Sequence, residues 1–395
     1  MRVLIVHNWY GKYSGEEAVV ESTQRLLSQR GHSVTTYFRS SSEIPSMRFG
    51  RTRAFFSGIY SRAARKAMSG LIADQRPDIV HVHNVFPLIS PSILGACRKA
   101  GVPVVMTVHN YRLACPSGLH MVAGEICEKC RTGREYWCIL RNCEGNLGKS
   151  TGYAIRSHVA RRFQLFANNV SIYITLTEFH KYRLVDEGIS PERIAVIPNI
   201  VSTTRQDTID RHGDYVAFAG RVSQEKGIHT LLAAAKKCPH IQFRIAGHFD
   251  RMAHILEQTP ENCVFLGHLT GEQLDEFHRS ARMVVLPSIW FETFGLTVAE
   301  AMICSKPTIC SSIGALREIV DDGVTGLLFE PGNVRDLVEK IQYLWERPDL
   351  CQQMGQAGRE KALREYSSER HYDRLMAAFK KATTLGPPGG SSPKN

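Results

Sequence analysis

The chain has 395 residues, 43% of them apolar and 22% charged, with a formal net charge of +11. That balance belongs to a soluble globular protein and excludes a disordered, collagenous or coiled-coil chain; the length exceeds one hydrophobic core and points to two domains. The longest apolar runs, Val102–Met106 and Met283–Leu286 among them, fall far short of the ~20 residues of a bilayer span, so no transmembrane helix is expected. The start, Met1–Asn8, lacks the apolar region of a signal peptide, so the expected location is the cytoplasm.

Short apolar runs alternate with helix-length stretches from end to end. In the first half the strand-like runs are Val3–Val6, Val34–Phe38, Ile79–Val82, Val102–Val108, Ile172–Leu176 and Ile194–Ile197. In the second half they are Tyr215–Ala219, Gln242–Ala246, Cys263–Leu266, Met283–Leu286, Pro307–Ser311 and Gly326–Phe329. Several are apolar at nearly every position, as strands covered on both faces of a parallel sheet are. Strands alternating with helices imply an α/β, doubly wound sheet. The pattern occurs twice, so two Rossmann-like domains are expected, 1–205 and 206–385, with the final helix able to pack back on the first. The polar stretch Ser202–Asp214 reads as the linker. The tail 386–395, made largely of Gly, Pro, Ser and Lys, is expected to be disordered.

Charge is unevenly spread. Up to Asp210 there are 27 Lys and Arg against 16 Asp and Glu, and beyond it 22 against 22. A basic first half suggests an anionic partner: nucleic acid, membrane or a phosphorylated substrate. The stretch Ser40–Met68 reads as a loop in which Arg48, Arg51, Arg53, Arg62, Arg65 and Lys66 interleave with Phe49, Phe55, Phe56, Ile59 and Tyr60. It could be a solvated helix face or a surface for charge and stacking; Arg156, Arg161 and Arg162 would extend it.

Eleven cysteines in a cytosolic chain should be mostly reduced thiols. Five of them, Cys115, Cys127, Cys130, Cys138 and Cys143, lie within an apparent insertion, 115–149. They could be plain thiols. Cys127 and Cys130 also have the Cys-x2-Cys spacing of a zinc knuckle, and a short polar insertion with little core would gain from a structural metal.

Two nucleotide fingerprints fail. Gly148-Lys149-Ser150 resembles the end of a phosphate loop, but Cys143 stands where its first glycine belongs. No Gly-x-Gly-x-x-Gly follows the first strand, and there is no Asp-x-Asp pair to hold a divalent metal on a nucleotide sugar. A better phosphate candidate follows the first strand of the second half, where Gly220 lets the backbone turn and Arg221 and Lys226 lie in a loop at the carboxyl edge of the sheet. Open α/β sheets bind ligands at that edge, and an arginine fork with a lysine point charge could neutralise a diphosphate. Further on, Glu292-Thr-Phe-Gly-Leu296 precedes a helix that carries Glu300. Gly295 permits close backbone approach, and a helix N-terminus at Phe294–Leu296 attracts phosphate.

Taken together, the Gly-Arg…Glu-Lys-Gly loop and the Glu-x7-Glu pair resemble the retaining glycosyltransferases of family 4, of the two-domain GT-B type. So do Asp78–His83, Thr107-Val108-His109-Asn110, Ser14–Val19 and Val196-Ile197-Pro198-Asn199. Many members have a second glycine where this chain has Ser14. The resemblance covers nearly the whole chain and implies two Rossmann-like domains facing a central cleft. It implies transfer of a sugar from a nucleoside diphosphate donor (UDP or GDP) to a saccharide or lipid-linked acceptor, with no catalytic metal and no nucleic acid. His109, Glu292, Arg221 and Lys226 would be catalytic. Gly15, Asn199, Gly220, Phe294, Gly295, Leu296 and Glu300 would join Arg221 and Lys226 in holding the donor, with the base near Gly247 and Leu266–Leu269. His81 and His83 would be structural. Some members carry a similar insertion, which implies Cys115, Cys127, Cys130 and Cys143 as zinc ligands with Cys138 extra. For enzymes of this type the basic-aromatic stretch implies docking on an anionic membrane, on its inner face. The competing readings are a sugar-nucleotide 2-epimerase of the same architecture, which the Glu-x7-Glu pair opposes, and a catalytically silent scaffold, which the intact Glu292, Glu300, Arg221 and Lys226 oppose.

Overall fold

A computed structural model of the chain describes residues 1–11, 14–201, 213–249 and 253–388, with the backbone alone at 51, 253, 254 and 258. The expected linker lies outside the described residues from 202 to 212, and the expected disordered tail lies outside them from 389 onward. The chain forms two units. The first spans Met1–His120, Cys127–Pro198 and His371–Asn395; the second spans Met121–Ile126 and Asn199–Arg370.

The first unit is built on β1 (Arg2–Trp9), β2 (Ser33–Ser40), β3 (Ile79–Asn84) and β4 (Val104–Thr107). A small antiparallel hairpin, β5 (Met121–Val122) and β6 (Glu125–Ile126), interrupts the chain before β7 (Ile172–Thr175) and β8 (Ile194–Val196). The six long strands form one parallel sheet in the order β2-β1-β3-β4-β7-β8. Successive side chains of a strand point to opposite faces, so β1 feeds both layers. Leu4 and Val6 join Val80, Val82 and Met106 on one side. Val3 and Ile5 join Ile79, Val105 and Ile172 on the other. The second layer is closed by the last helix, Ser368–Leu385, through Leu375, Ala378, Phe379 and Ala382. His371 on that helix meets the Pro198 carbonyl oxygen at 2.8 Å.

The second unit carries β9 (Tyr215–Ala219), β10 (Gln242–Ala246), β11 (Cys263–Gly267), β12 (Met283–Leu286), β13 (Thr308–Ser311) and β14 (Gly326–Phe329). They form a parallel sheet in the order β11-β10-β9-β12-β13-β14. Small residues at Ala217, Ala219, Ala246 and Ala301 let Phe277 and Tyr215 fill one side of it. Tyr215 keeps its hydroxyl satisfied by donating to the Phe277 carbonyl at 2.5 Å. Both sheets therefore have the doubly wound architecture expected from the alternating pattern.

Two expectations are corrected. Ser40–Met68 is mostly helical, running through a 3-10 turn at Ser41–Ser46 and helices Gly50–Ile59 and Arg62–Gln75. A capping box at Ser40 and Glu43 starts the turn, and Ser61 caps the third segment by accepting from the Ala64 amide. Nor do all three arginines of the later helix, Leu147–Arg162, extend the basic surface. Arg156 is buried at 7% exposure. Arg161 is held by Glu135 and Glu187 at 2.7 and 2.6 Å. Arg162 alone of the three is exposed. No helix among the described residues is long and apolar enough to cross a membrane.

Candidate functional site

In the second unit the chemistry gathers at the carboxyl ends of β9, β10 and β12. β9 ends at Ala219 and the chain turns at Gly220, whose amide donates to the Ala246 carbonyl at 2.9 Å. Gly247 follows the neighbouring β10, and a Cβ there would run into the Gly220 carbonyl oxygen. The two strand ends thus touch backbone to backbone, and only glycine permits it. Arg221 follows, half exposed, 3.0 Å from Glu225. One turn later Gly227 adopts a left-handed conformation (φ +74°) and hands the loop to helix Ile228–Lys237. A Cβ there would strike the carbonyl of Pro287, so this loop is laid directly on the one that follows β12. The Ile289 amide donates to the Glu225 carbonyl at 3.0 Å and ties the two loops together.

That contact places Lys226 on Glu292. Nζ lies 2.7 Å from Oε1 of Glu292, which also accepts from the Ser288 hydroxyl at 2.6 Å and the Trp290 indole at 3.0 Å. Glu292 is 5% exposed. Burial alone would raise its carboxyl, but the Lys226 charge and the three donors outweigh it and hold the group below its ordinary value. Lys226 also lies 5.7 Å from the Trp290 ring centroid. Sequence reasoning named Lys226 and Glu292 but not their pairing, and it missed Ser288 and Trp290, which no motif singles out.

Beyond Glu292, Phe294 is buried against Tyr366, and Gly295 in a left-handed conformation (φ +88°) opens the helix Leu296–Ile303. Glu300 sits on that helix, its carboxyl raised to about 7 by burial and by Asp275. Thr297 donates to the Ala219 carbonyl at 3.1 Å, so the helix start is tied to the end of β9. Asn199 is buried, and its Oδ1 has no partner among the described residues. Near Gly247 and Leu266–Leu269, His248 and His268 stack with centroids 4.2 Å apart.

In the first unit Gly15 opens the helix Gly15–Gln29 just beyond β1. His109, after β4, shares a 2.9 Å hydrogen bond between its Nε2 and Nδ1 of His83. His81 in turn meets the Thr107 hydroxyl at 2.8 Å, and its ring lies tilted with its centroid 4.2 Å from that of His83. Burial, helped by the neighbouring rings, holds His83 and His109 well below the ordinary histidine value. The row is therefore neutral near pH 7, and in the His83–His109 bond one ring donates and the other accepts. Beside it, Glu16 accepts from the Tyr10 hydroxyl at 3.0 Å. Burial raises its carboxyl to about 7.

The insertion thiols are all free and mutually close. Cys138 donates to Cys143 and lowers it to about 7. Cys130 is pushed up to about 12 by burial and by its neighbours Cys115, Cys143 and Cys127. Among the described residues, however, no three or more His, Cys, Asp or Glu side chains are placed to hold a metal ion. The set Cys115, Cys127, Cys130 and Cys143 is a neighbourhood of thiols rather than a closed ligand shell.

Comparison with known proteins follows the same division. Residues 13–205 match the family described as Glycosyltransferase Family 4, and residues 203–361 match Glycosyl transferases group 1. An uncharacterized glycosyltransferase of Methanocaldococcus jannaschii is 26% identical over 77% of this chain and 76% of its own. Alpha-maltose-1-phosphate synthase of Mycolicibacterium smegmatis is 26% identical over 82% of this chain and 85% of its own. Among solved structures, HepE of Anabaena, determined with UDP and glucose, superposes with a TM-score of 0.66 at 17% identity, covering 96% of this chain and 99% of that one. That likeness speaks for the fold.

One outcome follows from the buried pair. Lys226→Met would leave Glu292 buried without its counter-charge, which costs ~3–5 kcal/mol for a pair of this kind. Because the carboxyl is held low in the folded state, its pairing stabilises above the unfolded value of 4.5 and is lost as pH falls through the folded one. The deficit of Lys226→Met, read from urea unfolding, should be largest near pH 7 and narrow below about pH 4.5. A deficit independent of pH would show that the pair does not carry it.

Proposed function

Because the chain is a GT-B glycosyltransferase that works with a nucleotide sugar, we propose that it transfers a hexose from UDP or GDP, with retention of configuration, to a saccharide that is lipid-linked or membrane-associated. The observation that carries this reading is the loop after β9, in which Arg221 lies beside Glu225 and Lys226 pairs with Glu292. That loop carries two basic side chains at the carboxyl edge of the sheet, where open α/β sheets bind nucleotides.

In this reading Arg221, Lys226 and the amides at Phe294–Leu296 stabilise charge growing on the leaving diphosphate, the largest share of catalysis. Glu292 fixes Lys226 in place and faces the donor sugar. Glu300 reaches the ribose, Gly15 and Gly220 allow backbone approach to the phosphates, and Asn199 offers its orphan oxygen to the donor. His109, neutral and oriented by His83, meets the sugar. Attack comes from the same face as the departing phosphate, whose oxygen takes the acceptor proton. No side-chain nucleophile and no catalytic metal are required.

Two further elements belong to the proposal. The first is a structural zinc in the insertion, supported by the donor chemistry of five adjacent thiols with Cys143 already inclined to ionise. The second is docking of the first unit on an anionic membrane. Phe49, Phe56 and Tyr60 are 72%, 62% and 44% exposed, among the exposed basic residues Arg48, Arg53, Arg62 and Lys66. Basic residues near an anionic leaflet contribute ~1 kcal/mol each, and inserted aromatics add a term that salt does not screen. An oligonucleotide partner would use the same charge, so the docking test includes one.

Arg221→Ala should lower turnover ~10²–10³-fold in a nucleotide-sugar transfer or hydrolysis assay, the loss typical of one oxyanion contact. EDTA should leave the rate unchanged over minutes. Full activity in the variant, or strict dependence on added Mg²⁺ or Mn²⁺, would overturn the reading.

Elemental analysis should find about one zinc per chain, lost in Cys127→Ser. Metal-free protein with titratable thiols would leave the insertion held by packing alone.

Vesicles of phosphatidylglycerol should sediment the protein, less so at high salt. Changing Arg48, Arg53, Arg62 and Lys66 together to Glu should abolish it. Normal sedimentation of that variant, or a preference for oligonucleotides, would sink the membrane assignment.

A further inference from the structure

Both cations of the loop after β9 stand beside a carboxylate. Nζ of Lys226 lies 2.7 Å from Oε1 of Glu292, and Nη2 of Arg221 lies 3.0 Å from Oε1 of Glu225. Each carboxylate so close to a cation weakens the pull of that cation on an arriving anion. For Lys226 the acid is needed in any case, since the lysine is largely enclosed and a buried charge is costly without a partner. Arg221 has no such need. Its side chain is 48% exposed, so water solvates its charge. Glu225 therefore has a role other than keeping that arginine folded.

The two pairs are built differently. Glu292 also accepts from Ser288 and Trp290, which fixes its pair in one geometry. The Arg221–Glu225 pair is reached by water, and pairs of that kind contribute little and exchange readily. Within it the acid is the steadier member. Glu225 lies in the 3-10 turn Gln224–Lys226, and its carbonyl accepts from the Ile289 amide at 3.0 Å. The Lys226 amide donates to the Ser223 carbonyl at 3.2 Å and the Gly227 amide to that of Gln224 at 2.9 Å. Glu225 is 15% exposed and backed by this turn, whereas Arg221 reaches it with a long side chain of many rotamers.

A guanidinium fork matches a carboxylate and a phosphate equally well in shape, so charge decides which of them holds it. In an intact nucleotide sugar each phosphate carries one charge. Once the sugar has left, the terminal phosphate is a monoester whose second ionisation lies near pH ~6, and the product is the more negative ligand. Facing cations alone, the product would bind more tightly than the donor and stall the site. A carboxylate beside Arg221 offsets that added attraction.

We propose that Glu225 competes with the nucleotide diphosphate for Arg221, and that its recapture of the guanidinium after transfer speeds release of that product. Glu225 is thus a positioning residue that acts on the ligand through Arg221. This rests on the transferase reading, in which Arg221 meets the donor diphosphate.

Calorimetric titration of the full chain with UDP, GDP and inorganic pyrophosphate tests this, alongside kcat and KM for UDP-glucose and GDP-mannose. Glu225→Gln should bind the preferred diphosphate at least ~3-fold more tightly, the scale of one exposed ion pair, and should lower KM and kcat together, because release becomes slower. Glu225→Asp, which keeps the charge, should stay near the wild type. In an Arg221→Ala background Glu225→Gln should bring no gain. Should Glu225→Gln not fold, Glu225→Ala carries the same comparison. Weaker or unchanged binding in Glu225→Gln, or tighter binding without a fall in kcat, overturns the proposal. So does an equal gain in the Arg221→Ala background, since Glu225 would then not act through the arginine. If the diphosphates show the coupling between Arg221 and Glu225 yet the wild type turns over no nucleotide sugar, the transferase reading fails while the competition for Arg221 stands.

Discussion

The ion pair between Lys226 and Glu292 is the constraint on which the second unit's site depends. It joins two loops that leave neighbouring strands, β9 and β12, and it is reached only because Gly227 lets one loop lie on the carbonyl of Pro287. A buried pair of this kind adds little net stability over an apolar contact of similar size, since desolvating both charges offsets most of their attraction. What it does supply is position. With Ser288 and Trp290 also donating to the same oxygen, the carboxylate has one geometry, and the lysine that meets it has one as well. Arg221, half exposed and 3.0 Å from Glu225, is less enclosed than Lys226.

The first unit solves the opposite problem. Its polar residues do not form one tight pair; they form a connected group in which Arg112 donates to the Tyr10 hydroxyl and that hydroxyl donates to Glu16. The row of histidines is kept neutral by burial, so it adds hydrogen-bonding capacity without charge. Glu16, raised to about 7 chiefly by burial and held down by Arg112, is roughly half ionised near pH 7. The same low-dielectric surroundings that neutralise the imidazoles strengthen the attraction between that carboxylate and the Arg112 guanidinium.

How far this could be read from sequence depended on what each element buries. All twelve long strands coincide with the apolar runs, because a strand covered on both faces has few polar positions to confuse the pattern. The hairpin β5–β6 went unread: two-residue strands such as Met121–Val122 have no alternation to detect. Ser40–Met68 looked like a loop because Pro45 and Gly50 break its helical period into short pieces and its outward face mixes arginine with phenylalanine. Glu292 and Lys226 were found by resemblance to a motif, but a pairing across 66 residues leaves no local signature. Arg156 was placed on the surface for the same reason. The helix Leu147–Arg162 buries Ser150, Gly152, Ala154, Arg156 and Ala160, a face with almost no large apolar residue, so its orientation was not legible.

The two units also differ in how protons act on them. In the first unit His7 is held at about 4, His81 at about 3 and His180 at about 3, chiefly by burial, and His83 and His109 are likewise held well below their ordinary value. A histidine whose folded value is depressed stabilises the fold above its unfolded value near 6.5, and that contribution drains away as pH falls below it, because the unfolded chain takes up protons the folded one refuses. In the second unit His278, held at about 4, acts the same way, but the donor-side pair itself is governed by Glu292, whose contribution persists until pH drops below the carboxylate range. Mild acid therefore acts first on the histidine-rich layer of β1, β3 and β4, where His109 lies: the folded imidazoles stay neutral, the unfolded chain takes up the protons, and the balance shifts toward unfolding before the Glu292 pair is touched.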